Sequence, residues 1–258
     1  MKLYYILAFG TLLCSQLCSS ASAAMASEEP YNSGIVLRWK DCKQRIDGFG
    51  IAQAGWAKEL FAFKNREQVM DKMFGKDGLR LNILRGEIFP HYWENETDKD
   101  FNLNDDIHIE LSDSDFINKS DDLLRRGQLW LTLKAKNKYH ISKLVFSTWS
   151  APAWMKSNGK VSNGRLKTEC YTDFANYLAA FYNAYKSKGI APYAISPSNE
   201  PGYAAPWNSS LWTADEMGKF ITSYLGPTFR KENIPAKIIF GENPLWAVYC
   251  LLYTSPSP

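Results

Sequence analysis

The chain has 258 residues, 45% of them hydrophobic, 22% charged and 14% aromatic, with a formal net charge of +3. That balance supports a sizeable core and excludes a disordered or fibrous chain. Lys and Arg are dispersed rather than clustered into a basic stripe, so nothing in the charge pattern points to nucleic acid.

The start reads as a targeting segment. Lys2 is followed by the apolar stretch Leu3 to Leu17, and Ala21-Ser22-Ala23 supplies small residues for cleavage. This predicts a secretory signal peptide over residues 1–24 and a mature chain beginning near Ala24. The stretch is short and broken by Ser15-Gln16, which argues against a membrane anchor, and no later segment is long and apolar enough to span a bilayer. In a secreted protein from a eukaryote, Asn95-Glu96-Thr97, Asn118-Lys119-Ser120 and Asn208-Ser209-Ser210 are N-glycosylation acceptors. Cys42 and Cys170 lie in the body of the chain, and the sequence leaves open whether they pair. His91, His108 and His140 are scattered without ligand spacing, so neither metal nor cofactor is expected. At the other end, residues 250–258 read as a sequencing-adapter tail rather than natural protein.

Elements then alternate along the chain. Gln44 to Ile51 reads as a strand entering a glycine turn, and Trp56 to Met73 as a helix stopped near Gly75. Leu79 to Ile88 reads as a strand, Asp113 to Lys136 carries a helix, and Lys143 to Ser150 is a strand around Leu144-Val145-Phe146. Phe174, Tyr177, Leu178, Phe181, Tyr182 and Tyr185 fall at i, i+3, i+4, i+7, i+8 and i+11, one face of a helix that Gly189 ends. Tyr193 to Ser198 is a strand, Ala214 to Phe229 a helix and Lys237 to Gly241 a strand. This βαβα order predicts an α/β fold with a parallel sheet. An open doubly wound sheet is the alternative to a barrel, but Gly48-Phe49-Gly50 lacks the spacing of a phosphate-binding loop.

The chemistry centres on Asn199-Glu200-Pro201, directly after the strand Tyr193 to Ser198. In a (β/α)8 TIM barrel that end of the strands carries the catalytic residues. Glycoside hydrolysis needs one carboxylic acid to protonate the leaving oxygen and a second carboxylate facing it. The bland reading of the tripeptide is a turn with an exposed Glu.

Three segments together give a family likeness. Residues 44–50 (Gln44-Arg45-Ile46-Asp47-Gly48-Phe49-Gly50), the run from Trp149-Ser150-Ala151-Pro152-Ala153-Trp154-Met155-Lys156 through Gly159, and Ile195-Ser196-Pro197-Ser198-Asn199-Glu200-Pro201 resemble the first-, third- and fourth-strand motifs of glycoside hydrolase family 30. The resemblance runs from about Ile46 to Asn243 and implies a (β/α)8 TIM barrel, here reaching strand five over residues 46–249. It also implies a side β-sandwich, incomplete here, to which residues 25–45 supply one strand. It implies retaining hydrolysis of a β-linked carbohydrate. Glu200 is then the general acid/base and Asn199 contacts the hydroxyl next to the reacting carbon. Trp149 lines the sugar site, and Trp154 belongs to the same loop or to the core. Arg80 matches a second-strand arginine near the carboxylates, or a salt bridge within the barrel. Glu87 stands where some members carry a sugar-binding Asp, a departure from the pattern. The family's nucleophile follows strand seven, which this chain does not reach. Glu242 is rejected for that role because strand five adjoins strand four, and a nucleophile must face the acid across the anomeric carbon. Two rivals remain: another barrel glycosidase family with the same tripeptide, and a non-catalytic sugar-binding barrel protein.

Overall fold

A computed structural model describes residues 45–53, 56–90, 92–93, 97 and 122–242, with side chains given except for 58 and 122–126. The chain divides into two compact units, Met1–Ile46 and Asp47–Pro258, and every strand and helix described here belongs to the second. The signal segment, all but the last residue of the 25–45 stretch expected to supply a sandwich strand, the adapter-like tail, Cys42, Asn95 and Asn118 lie outside the described residues.

Five strands form one parallel sheet in sequential order: β1 (Gly50–Ala52), β2 (Ile83–Ile88), β3 (Lys143–Thr148), β4 (Ala194–Ser196) and β5 (Lys237–Ile238). Helices fill the crossovers: α1 (Ala57–Ala62), α2 (Arg66–Phe74), α3 (Asp122–Tyr139), α4 (Tyr171–Ser187), α5 (Ala214–Phe220) and α6 (Gly226–Lys231). Sequential parallel order with intervening helices is the wall of a (β/α) barrel, not the reversing order of a doubly wound sheet.

Register places the polar face. Arg85 and Glu87 share one face of β2, and Leu84, Gly86 and Ile88 the other, because side chains alternate along a strand. Leu84 pairs with Leu144, Gly86 with Phe146 and Glu87 with Ser147. The second face packs on the helices. Phe146 meets Phe181 at 5.1 Å and Tyr185 at 5.0 Å between ring centroids, both edge-on. The six α4 residues singled out by periodicity are all buried, as is expected when an aromatic stripe covers a strand face. Gly86 is the space for this packing: a Cβ there would stand 2.7 Å from the Phe146 ring and 2.9 Å from Gln128 Oε1.

Several boundaries differ from the sequence reading. The strand expected from Leu79 begins at Ile83, because Arg80 takes a left-handed φ of 53° and Leu79 is left exposed. The helix expected from Trp56 to Met73 is two helices, broken where Phe63 turns extended. The last helix runs through a π turn, Ile221–Leu225, immediately before Pro227, whose missing N–H cannot continue an α-helical ladder. Its start is fixed by a capping box: Thr213 Oγ1 accepts from the Glu216 amide at 3.2 Å, and Glu216 Oε2 accepts from the Thr213 amide at 2.7 Å.

Candidate active site

The C-terminal ends of β2, β3, β4 and β5 converge on Asn199 and Glu200. The backbone sews the ends together: the Asn199 amide donates to the Thr148 carbonyl at 2.6 Å, and the Glu200 amide to the Glu242 carbonyl at 3.0 Å. Glu200 itself adopts a left-handed φ of 46°. A non-glycine residue held there is uncommon, and such strain persists only where neighbouring structure imposes it. Pro201 and the Tyr203-to-Glu200 backbone bond (2.9 Å) complete the turn that fixes it. Glu200 is half-buried.

Arg85 organises the polar face. Its Nη2 donates to Asn199 Oδ1 at 2.6 Å and to Glu242 Oε2 at 2.7 Å, and Ser147 Oγ donates to the same Glu242 oxygen at 3.0 Å. The Arg85–Glu242 pair is partly exposed, so its weight lies more in orientation than in stability. With Oδ1 occupied by a cation, the Asn199 amide nitrogen is the group left to donate to a ligand hydroxyl.

Arg80 is not part of this site. It precedes β2 at the opposite end of the strand, is exposed, and donates from Nε to the Lys76 carbonyl at 2.6 Å. The arginine beside the carboxylates is Arg85, five residues on. Its signal was legible: a charged residue at an alternating position inside an otherwise apolar strand, two before Glu87.

Glu87 is buried on the same face. Burial pushes its carboxyl up to about 7, opposed by a hydrogen bond from the Asn208 side chain and by the charge of Arg85. Its Oε1 has no hydrogen-bond partner among the described residues. The backbone of Glu87 is clamped by Gln128 of α3, which accepts from the Glu87 amide at 2.7 Å and donates to its carbonyl at 2.7 Å. Gln128 supplies the ladder bonds that the three-residue β1 is too short to give. Nothing in the sequence alone marks it.

Trp149 directly follows β3. It is half-buried, and its Nε1 has no hydrogen-bond partner among the described residues. Trp154 packs partly buried against the core and donates from Nε1 to the Trp93 carbonyl at 3.1 Å, which is the core alternative for that residue. Among the described residues no group of three His, Cys, Asp or Glu side chains gathers as a metal site, and no helix is long and apolar enough to cross a membrane.

Residues 46–241 match the glycosyl hydrolase family 30 TIM-barrel domain. The chain belongs to that family. Among curated relatives, it is 27% identical to lysosomal acid glucosylceramidase of Mus musculus over 83% of this chain and 44% of that protein. It is 27% identical to glucuronoxylanase XynC of Bacillus subtilis (90% and 46%) and 28% identical to endo-1,6-beta-D-glucanase of Neurospora crassa (76% and 42%). The chain thus spans less than half the length of these relatives. Among solved structures, the catalytic domain of GH30 xylanase C from Talaromyces cellulolyticus superposes with a TM-score of 0.65 at 22% identity, over 79% of this chain and 48% of that one. That likeness is one of fold. The strand-end placement of the third- and fourth-strand motifs accords with the family match.

Proposed function

We propose that this chain carries the acid/base half of a secreted retaining β-glycosidase that acts on a β-linked glycan or glycoside. The observation that carries the reading is Glu200, held at a left-handed φ at the end of β4 beside an Asn199 whose amide is fixed by Arg85. In a family 30 barrel, a carboxyl at the C-terminal end of a strand supports the role of acid toward the leaving oxygen. The relatives named for glucosylceramide, glucuronoxylan and 1,6-β-glucan support a β-linked carbohydrate as the substrate class.

In this mechanism Glu200 first gives its proton to the leaving oxygen while a second carboxylate attacks the anomeric carbon. Glu200 then takes a proton from water as that water displaces the enzyme from the sugar. Glu242 is not the second carboxylate in this reading. It is spoken for by Arg85 and Ser147, and its strand adjoins that of Glu200. In this reading a carboxylate other than Glu242 is the nucleophile. The leader over residues 1–24 directs secretion, and N-terminal sequencing of the exported protein would find Met1 absent.

The deciding experiment is Glu200→Ala and Glu200→Gln in the full-length protein. Rates on natural glycosides should fall about 10²–10⁴-fold, the usual contribution of general acid/base catalysis. Activated aryl glycosides need little protonation, so Glu200→Ala should regain turnover on them with added azide, releasing a β-glycosyl azide. Near-normal rates on a natural glycoside would remove Glu200 from the role.

A further inference from the structure

Lys156 is 1% exposed, an unusual place for a lysine. Its ammonium donates to Ser150 Oγ at 3.0 Å, to the Val161 carbonyl at 3.5 Å and, in a short contact, to the Ser209 carbonyl. All three acceptors are neutral. They use the three donors of the ammonium, but no carboxylate among the described residues offsets its desolvation, and burial brings the Lys156 pKa down to about 8. Apolar filling of the same volume would avoid that penalty, which raises the question of what the charge does there.

The three acceptors lie on both sides of a junction. Ser150 and Val161 belong to the segment after β3, and Ser209 to the segment after β4. The Ser209 amide donates to the Val161 carbonyl at 3.0 Å, the Asn163 amide donates to Ser209 Oγ at 2.9 Å, and the Leu211 amide to the Gly164 carbonyl at 2.9 Å. Ser162 and Asn208 pair as an antiparallel bridge. The two loops are therefore one ribbon with the ammonium beneath its centre. Asn208, next in chain to the carbonyl that Lys156 grips, lies close enough to the Glu87 carboxyl to favour its ionised form.

We propose that Lys156 is a positioning residue of the cleft: its buried ammonium fixes the Asn208–Ser210 turn, and through Asn208 it sets the orientation of the Glu87 carboxyl toward bound sugar. A carbonyl–ammonium bond is stronger than a neutral one and holds a loop that has no helix or strand of its own. The Trp149-to-Gly159 segment thus contributes more than its tryptophans: its lysine couples the β3 loop to the wall beside Glu87.

This inference rests on the glycosidase reading for its kinetic test, and the design separates the two. In the full-length protein, Lys156→Met (equal length, no charge), Asn208→Ala and the double variant are compared on a β-linked oligosaccharide. Loss of a charge-assisted bond that orients a ligand group predicts a KM raised about tenfold in each single variant, with kcat changed far less. Because both act through one path, the double variant should be no worse than Asn208→Ala alone. Hydrogen exchange, which needs no turnover, should show lost protection over residues 203–212 in Lys156→Met while 171–187 stays protected. Unchanged KM, additive losses, or unchanged exchange over 203–212 in folded protein would each overturn the proposal. Should Lys156→Met not fold, Ser150→Ala removes one acceptor only, and the same kinetic and exchange outcomes decide. Absence of turnover in the wild-type protein would count against the glycosidase reading, and the exchange result would still decide the role of Lys156.

Discussion

Arg85 and Asn199, separated by 114 positions in sequence, meet at 2.6 Å between Nη2 and Oδ1. One guanidinium nitrogen thereby fixes which way the amide beside Glu200 points. The same nitrogen holds Glu242 at 2.7 Å, so three strand ends, β2, β4 and β5, share one donor. Strand alternation puts Arg85 of β2 on the face away from the helices, and its long side chain spans β3 to reach Asn199 and Glu242, which follow β4 and β5.

Arg85→Ala in the full-length protein is expected to lower kcat/KM by about 10- to 100-fold, because the Asn199 amide is freed to flip and the donor is no longer aimed. Arg85→Lys keeps the charge but not the fork geometry and should recover only part of the loss. The melting temperature should change little, since the pair is partly exposed. Steady-state kinetics on a natural glycoside with parallel melting curves checks this. An Arg85→Ala enzyme with wild-type kcat/KM would show that the amide needs no such hold.

The aromatic face of α4 was readable from spacing alone, because a 3.6-residue period is a property of the sequence and its burial follows. Glu200 was readable because a tripeptide after a strand carries its position with it. The arginine beside the carboxylates is Arg85 rather than Arg80: Leu79 and Leu81 continue the apolar pattern of β2, and only the left-handed turn at Arg80 shows that the strand has not begun. Gln128 and Lys156 were not legible as site elements. Their effects depend on which backbone groups lack partners and which loops touch, and both are outcomes of tertiary packing.

Gly86→Ala is expected to destabilise the fold by about 1–3 kcal/mol, the usual range for overpacking. The added Cβ meets the Phe146 ring at 2.7 Å and the Gln128 oxygen at 2.9 Å, and neither can withdraw freely. Phe146 is packed against Phe181 and Tyr185, and Gln128 is bonded to the Glu87 backbone and to the Tyr185 hydroxyl at 3.0 Å. Phe146→Leu in the same chain should recover part of the loss, giving a non-additive pair in urea denaturation. Additive losses would mean that the ring is not the obstacle.

Asn208 should carry no glycan in protein exported from a eukaryotic cell, although its tripeptide fits the acceptor pattern. Its side chain lies beside the buried Glu87 carboxyl, and Ser209 and Ser210 are buried at 5% and 3% exposure. A chain modified there could not close the turn over Lys156. Mass spectrometry of the peptide containing Asn208, after enzymatic deglycosylation in heavy-oxygen water, would show no labelled aspartate. Full occupancy in active protein would show that the turn tolerates an outward asparagine.

Glu87 makes the fold more stable in acid than at neutral pH, and the sign follows from its surroundings. Its folded pKa is raised to about 7 by burial, against an ordinary value of 4.5 that holds once the chain unfolds. Below the lower value both states are protonated and the group adds no pH dependence. Between the two, the unfolded state releases its proton first and binds fewer protons than the folded state, so stability falls as pH rises. Above about 7 both are ionised and the loss is constant, roughly 3 kcal/mol from the separation of the two values. Asn208 and Arg85 both favour the carboxylate and keep the loss from being larger. Glu87→Gln is neutral throughout, so it should lack this slope. Melting temperatures of wild type and Glu87→Gln at pH 5 and pH 8 give the test. The variant should gain on the wild type by several degrees at the higher pH, because the wild type alone must bury a charge there. Asn208→Ala, which removes the hydrogen bond that lowers the Glu87 pKa, should steepen the wild-type slope rather than flatten it. Parallel pH curves for wild type and Glu87→Gln would show that Glu87 ionises as readily in the fold as in water.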